Sequence, residues 1–189
     1  MKITKLNDLL SSRKLTVLGF PAFQQLAPLS NQDAVLAVLS VLPAPVVAEQ
    51  GYTEYYAPRI PRGAKYASAE DVLAADLDVD LYQVHKVESA APVIIVTQHQ
   101  AAIDLLLTNM PELSGTPIIT GNASVEDVAG KHVYGQLPPF MLAHCDAYTT
   151  VTVPGFDAAK HSDMSVNELL EQGLQMQIKG AYRVTAISG

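Results

Sequence analysis

Short apolar runs alternate with segments of helical spacing from Val93 to the end of the chain. The runs begin at Val93, Pro117, Lys131 and Tyr148. Between the first two runs, residues 101–110 place Ile103 and Leu106 on one helical face. Strands that are joined through helices run parallel, and both faces of a parallel sheet must be covered. We therefore predict an α/β domain over residues 92–189, with a Rossmann-like, mostly parallel sheet that closes with a strand at 175–187.

The first ninety residues carry similar signals in a less regular order. Lys14–Phe20 is typical of a short buried strand, and Ser68 begins a capped helix. The break at Ser89–Pro92 separates this half from the regular second half. We therefore predict an α/β region over residues 1–91 that packs on the Rossmann-like domain, and no internal repeat is evident in the sequence.

Two predictions in the first half rest on apolar patterning alone. The run Ala34–Leu42 is nearly apolar on every side and ends at Pro43, which indicates a buried helix or a helix in a subunit interface. Residues 46–56 are expected to be extended, with a turn near Gly51.

The charge balance limits the ligands that the chain can hold. The net charge is −7, from 12 Lys and Arg against 19 Asp and Glu, and residues 92–189 contain 4 basic and 9 acidic side chains. Binding to long DNA or RNA requires a cationic surface, so we expect no long nucleic acid as a partner. A compact anion held by backbone amides and a few side chains remains compatible with this charge.

Cysteine content and hydropathy bear on the location of the protein. Cys145 is the single cysteine, which fits a reducing cytoplasm. Met1 is followed by lysines without an apolar stretch, and no apolar run is long enough to cross a bilayer. We therefore expect a cytoplasmic protein without a signal peptide and without a membrane partner.

A metal site is not expected. His132, His144 and Cys145 are the residues that invite one, but their spacing matches no zinc motif. We predict neither a metal nor another cofactor, and Cys145 is interpreted as a small buried apolar residue.

Two turns follow strands of the predicted sheet, at residues 97–100 and 135–139. Ligands of such sheets bind at the carboxyl ends of the strands. His99 can orient or deprotonate a hydroxyl or protonate a leaving oxygen, or it can cap the helix instead. Thr97 can donate to a phosphate or act as a plain N-cap. Gly135 can admit a ligand to the backbone or form a tight turn.

A polar loop over residues 156–164 contains Asp157, Lys160, His161 and Asp163. Such a loop is either a mobile surface segment or a lid over the ligand edge.

Three stretches of the second half carry a family resemblance. Val93–Asp104 resembles the opening of a small CRISPR-associated Csx-type family, in which a strand is followed by Ser-Arg-His-Xaa-Gly-Ala-Ile. Gly135–Pro138 and the segment to Cys145 resemble its Gly-Thr-Leu-Pro turn and helix. Val151–Pro154 and Met164–Leu169 resemble its closing strand and last helix. The resemblance spans residues 93–187.

The resemblance implies a homodimer that binds a cyclic oligoadenylate and acts as a metal-independent ring nuclease in antiviral defence. It assigns catalysis to Thr97 and His99, and ligand binding to Gln98, Gln100, Gly135, Gln136, Leu137 and Pro138. Two positions depart from the family, because Gln98 replaces its Arg and Gln136 its Thr. These departures favour an alternative, which is a non-catalytic nucleotide sensor or a protein-interaction accessory protein of a mobile element.

Overall fold

A computed structural model describes residues 5–61, 63–161 and 164–187. The chain has a mixed α/β fold with mostly parallel strands, which confirms the predicted class. It divides into two compact units. We call residues 5–85 with 184–187 the N-terminal unit and residues 86–183 the C-terminal unit. The division falls close to the predicted break at Ser89–Pro92, but the end of the chain belongs to the N-terminal unit, which was not expected.

The N-terminal unit is built around parallel strands. Its elements are α1 (Leu6–Ser12), β1 (Lys14–Leu18), α2 (Pro21–Gln24), β2 (Leu36–Ser40), α3 (Ala44–Glu49), β3 (Glu54–Pro58), α4 (Ala69–Ala75) and β4 (Val79–Lys86). The strands β1, β2 and β3 are parallel neighbours in that order, and β4 pairs antiparallel with β3. The end of the chain lies beside β4, because the Ile187 amide donates to the Leu81 carbonyl. Leu6, Phe23, Leu39 and Val72 belong to the apolar core of this unit.

The predicted helix over Ala34–Leu42 is wrong, because this run contains the strand β2. Val38, Leu39 and Ser40 at the end of β2 are buried, whereas Leu36 at its start is 58% exposed. An interior strand of a parallel sheet needs no polar face, so its apolar run cannot be distinguished from a buried helix by periodicity alone. The extended segment predicted for residues 46–56 is also partly wrong. Pro43 is the N-cap of helix α3, which occupies Ala44–Glu49, and the expected turn follows at Gly51 with φ 89°.

The C-terminal unit is longer and more regular. Its elements are β5 (Val93–Val96), α5 (Gln100–Asn109), β6 (Ile118–Ile119), α6 (Val125–Val128), β7 (His132–Gly135), α7 (Pro139–Leu142), β8 (Ala147–Thr152), α8 (Ala158–His161), α9 (Val166–Glu171) and β9 (Gln177–Ala186). A 3₁₀ turn at Pro111–Leu113 follows α5. The strand order is β6-β5-β7-β8-β9, with β9 antiparallel to β8 and the other pairs parallel.

This order identifies the topological switch point of the sheet in the C-terminal unit. Counted along the unit, the strands are arranged 2-1-3-4-5, which is a doubly wound order. The chain leaves β5 toward one edge of the sheet, returns across it, and continues from β7 toward the other edge. The switch point therefore lies between the carboxyl ends of β5 and β7, and the predicted Rossmann-like arrangement is confirmed for this unit.

Local signals set the helix ends as predicted. The Ser124 hydroxyl accepts from the Asp127 amide, and the Asp127 carboxylate accepts from the Ser124 amide, which completes a capping box at α6. Ser165 and Glu168 repeat the motif at α9. Among the described residues, no helix has the length and apolar character that a membrane span requires.

Candidate functional site

The two predicted turns lie side by side. Val96 and Gly135, the last residues of β5 and β7, are register partners in the parallel pair. The Gln136 amide then donates to the Val96 carbonyl at 3.2 Å. Because both strands end at the same edge of the sheet, the turns at 97–100 and 135–138 open together at the switch point. This is the position at which doubly wound sheets bind ligands.

Gly135 makes this close approach of the two strands geometrically feasible. Its φ is +138°, and a Cβ atom there would lie 1.9 Å from the Val96 carbonyl oxygen. Any side chain would collide with the backbone of β5, so the turn requires glycine. The glycine serves the contact between two strands, which agrees with the tight-turn interpretation.

Tyr148 holds the second turn from within the sheet, and the sequence interpretation missed it. Its buried hydroxyl donates to the Gly135 carbonyl at 2.8 Å, and burial raises the pKa of this phenol to about 12. The signal in the sequence was a tyrosine inside an apolar strand, because a buried tyrosine hydroxyl needs a hydrogen-bond partner.

In the first turn, the imidazole of His99 does not cap helix α5. His99 is the N-cap residue of α5 by its backbone, with φ −117° and ψ 117°, but its side chain makes no capping hydrogen bond. Thr97 lies before the N-cap, and its hydroxyl accepts from the His99 amide at 3.5 Å. The alternative in which His99 caps the helix is thus met by its backbone but not by its side chain, and the alternative in which Thr97 is the N-cap is wrong.

An aromatic side chain from the loop after β8 packs against His99. The ring centroids of His99 and Phe156 are 5.4 Å apart, and those of Phe156 and His161 are 5.5 Å apart. His161 is buried, and its Nδ1 accepts from the Asp157 amide at 2.8 Å. Through the ring of Phe156, the described part of the polar loop contacts the first turn, as the lid interpretation requires. Ser162 and Asp163 lie outside the described residues.

The remaining predicted ligand-binding residues differ in exposure and in the hydrogen bonds that their side chains already make. Gln98, Gln136 and Pro138 are exposed at the two turns, and Leu137 is half-buried. Gln100 is exposed, but its side-chain amide donates to the Asp104 carboxylate at 2.8 Å along the surface of α5. We therefore regard Gln98 and Gln136 as the amide side chains that can meet a ligand.

Lys160 is a cation in helix α8, four residues beyond Phe156. Its ammonium lies 3.7 Å from the Asp157 carboxylate, and its side chain is 73% exposed. An exposed pair of this kind contributes little to stability, so the contact with Asp157 does not fix the position of the ammonium.

Two of the three residues that invited a metal interpretation, His132 and Cys145, have other partners. The Nε2 atom of His132 is 2.8 Å from the Thr149 hydroxyl, and burial lowers the pKa of this imidazole. The Cys145 thiol is directed at the Met141 carbonyl, and burial raises its pKa to about 12, so it is a neutral thiol near pH 7. Within the described ranges, no three His, Cys, Asp or Glu side chains are grouped so that they could hold a metal.

The fold and this site define a doubly wound α/β unit with a polar edge at its switch point. No family model, curated protein or solved structure matches the chain.

Proposed function

We propose that the C-terminal unit binds a cyclic oligoadenylate at the edge between β5 and β7 and cleaves it without a metal, in a CRISPR or phage-defence context. The observation that carries the proposal is the hydrogen bond from the Gln136 amide to the Val96 carbonyl, which aligns the two turns at the switch point. The residues of both turns are those that resemble the ring-nuclease family. A cytoplasmic homodimer is part of the same proposal.

Backbone amides are the main phosphate ligands in this proposal. Helix α5 is 10 residues long, and the Gln100 and Ala101 amides at its start have no partner within the helix, whereas the Ala102 and Ile103 amides donate to the His99 carbonyl. Its N-terminus attracts an anion, and the Thr97 hydroxyl lies beside it. Gln98 and Gln136 add neutral donors, and Lys160 adds a positive charge. Such a site can bind a compact phosphate although the second half of the chain has a net negative charge.

The proposed reaction is an internal transesterification. A ribose 2′-oxygen of the ring bonds to the adjacent phosphorus, and the bond from that phosphorus to the 5′-oxygen breaks. The products carry a 2′,3′-cyclic phosphate and a 5′-hydroxyl. The imidazole of His99 takes the 2′-proton and returns one to the 5′-oxygen, so no proton is gained or lost overall. The amide donors stabilise the charge that develops on the phosphate.

The test is incubation of the full chain with cyclic tetra-adenylate and chromatography of the products. General acid–base catalysis contributes about 10²- to 10⁴-fold, so we expect His99→Ala to lower the cleavage rate by at least roughly 100-fold. The exposed His85 provides the matched control, and His85→Ala should retain the wild-type rate. Absence of cleavage by the wild type, or equal cleavage by His99→Ala, would exclude the catalytic proposal.

The substitution of glutamine for the family arginine at Gln98 favours a second candidate, which is a sensor that binds without turnover. Titration calorimetry with cyclic tetra-adenylate separates the two. Binding with no product supports the sensor, and no binding supports a protein-interaction accessory protein.

A further inference from the structure

The two units share a strand arrangement. In the N-terminal unit, β1, β2 and β3 are parallel neighbours and β4 is antiparallel to β3. In the C-terminal unit, β5, β7 and β8 are parallel neighbours and β9 is antiparallel to β8. The C-terminal unit adds β6 at the edge beside β5. Without β6, the two strand orders and directions are identical.

The register at the strand ends is also the same. Leu18 pairs with Ser40 as Val96 pairs with Gly135. The Val41 amide donates to the Leu18 carbonyl at 3.1 Å, which matches the 3.2 Å bond from the Gln136 amide to the Val96 carbonyl. Each crossing contains one glycine with positive φ, but the two glycines are not at equivalent positions, because Ser40 pairs with Leu18 where Gly135 pairs with Val96. In the N-terminal unit the glycine is Gly19, with φ +128°, where a Cβ would lie 2.0 Å from a Val41 methyl carbon.

The elements after this crossing correspond as well. Leu42-Pro43 precedes α3 as Leu137-Pro138 precedes α7. The helix before each antiparallel strand begins with a capping box, at Ser68 in α4 and at Ser165 in α9. A residue with positive φ and then a buried leucine follow each of these helices; the residues are Asp76 and Leu77 after α4, and Gly173 and Leu174 after α9.

We infer that the N-terminal unit is a second copy of the fold of the C-terminal unit, in which apolar residues replace the ligand-binding groups, so that each chain holds one nucleotide site. Counted from the paired strand ends, Gly19 stands at the position of Thr97, Phe20 at Gln98, Pro21 at His99 and Val41 at Gln136. The part of this inference that concerns the nucleotide rests on the proposed function, whereas the shared fold does not.

The edge of the N-terminal unit at the ends of β1 and β2 is chemically unsuited to a phosphate. Pro21 has no amide hydrogen, and Val41 has no polar side-chain atom. Helix α2 is 4 residues long, so its dipole is small, and the side chain of Phe20 at its N-cap is exposed. The edge therefore lacks the donors that Thr97, Gln98, His99 and Gln136 supply in the other copy.

Hydrogen exchange measured by NMR on the full chain tests the shared fold without a ligand. We expect the amides of Val41 and Gln136 to exchange slowly, because each closes the equivalent crossing. Rapid exchange of Val41 together with slow exchange of Gln136 would overturn the shared fold.

Calorimetry with cyclic tetra-adenylate tests the single site, in a His99→Ala background so that the ring is not consumed. We expect at most one ring per chain. Two reciprocal substitutions are informative, because each places in one unit the residue found at the equivalent position of the other unit. Loss of a hydrogen bond to a charged group corresponds to roughly tenfold in affinity, which is the weakening expected for Gln136→Val. Val41→Gln should leave the affinity unchanged.

Two rings per chain, or equal weakening by Val41→Gln and Gln136→Val, would overturn the single-site inference. Absence of any binding would contradict the proposed function. The hydrogen-exchange rate of the Val41 amide would still test whether the two units share a fold.

Discussion

The ring of Phe156 lies 5.4 Å from the imidazole of His99, measured between centroids, with the two planes inclined by 50°. Phe156 is half-buried against a cluster that contains Ala101, Leu169 and Leu174. The loop after β8 is thereby attached to the first turn of α5. The orientation of the candidate catalytic imidazole thus depends on a residue far along the chain from it.

Replacement of Phe156 should disturb His99 directly. Phe156→Ala removes two ring contacts and part of the cluster, so we expect a loss of about 1–3 kcal/mol in the free energy of unfolding. The His99 ring proton resonances should shift because the ring current of Phe156 is lost. Urea titration and NMR measure the two effects. Phe20→Ala is the control, because Phe20 is 62% exposed. Unchanged His99 resonances in Phe156→Ala would contradict the contact.

Gly135 should tolerate no side chain. In Gly135→Ala the new methyl group meets the Val96 carbonyl, and the backbone stays at φ +138°. We expect a loss of about 3 kcal/mol or more in unfolding free energy, measured by urea titration. At Gly121 no neighbouring atom lies within 4 Å of the position that a Cβ would take, so Gly121→Ala should change stability by less than about 0.5 kcal/mol. Similar losses in both variants would count against the close crossing of β5 and β7.

The hydroxyl of Tyr148 should stabilise the fold in a pH-dependent manner. Tyr148→Phe leaves the Gly135 carbonyl without this donor, which should cost about 1–3 kcal/mol near pH 7. The pKa of Tyr148 is raised from 10.0 to about 12 in the folded protein, so its contribution is complete below pH 10 and is lost as the pH rises through 12. The stability difference between wild type and variant should therefore narrow between these pH values, and a constant difference would refute the assignment.

His132 should make the fold sensitive to mild acid. Burial lowers the pKa of its imidazole below the usual 6.5, so its contribution to stability is present above pH 6.5 and is lost as the pH falls. We expect His132→Asn to flatten the acid limb of the stability curve, measured by urea titrations across a pH series. His85→Asn, at an exposed position, should keep the wild-type slope. An unchanged acid limb in His132→Asn would show that another group is responsible.

Sequence reasoning succeeded where the signal is local. The β-branched run Val93–Val96 is a strand, and Ser124 caps the helix that it was expected to cap. The helix predicted over Ala34–Leu42 was wrong, because an interior strand of a parallel sheet and a buried helix can have the same apolar composition. The candidate site was only partly predictable. The two turns were found, but the roles of Tyr148 and Phe156 were not, because neither lies next to those turns in the sequence.

By itself, the sequence determined the α/β alternation, the capping boxes and the turn that follows the strand ending at position 135. These features depend on a few consecutive residues and on the steric limits of their own backbone. Only the tertiary structure decided that β5 and β7 are neighbours, that Phe156 reaches His99 and that both units share one strand order. Those outcomes depend on which surfaces bury one another, and the free energy of burial is a sum over residues far apart in the chain, which no local pattern records.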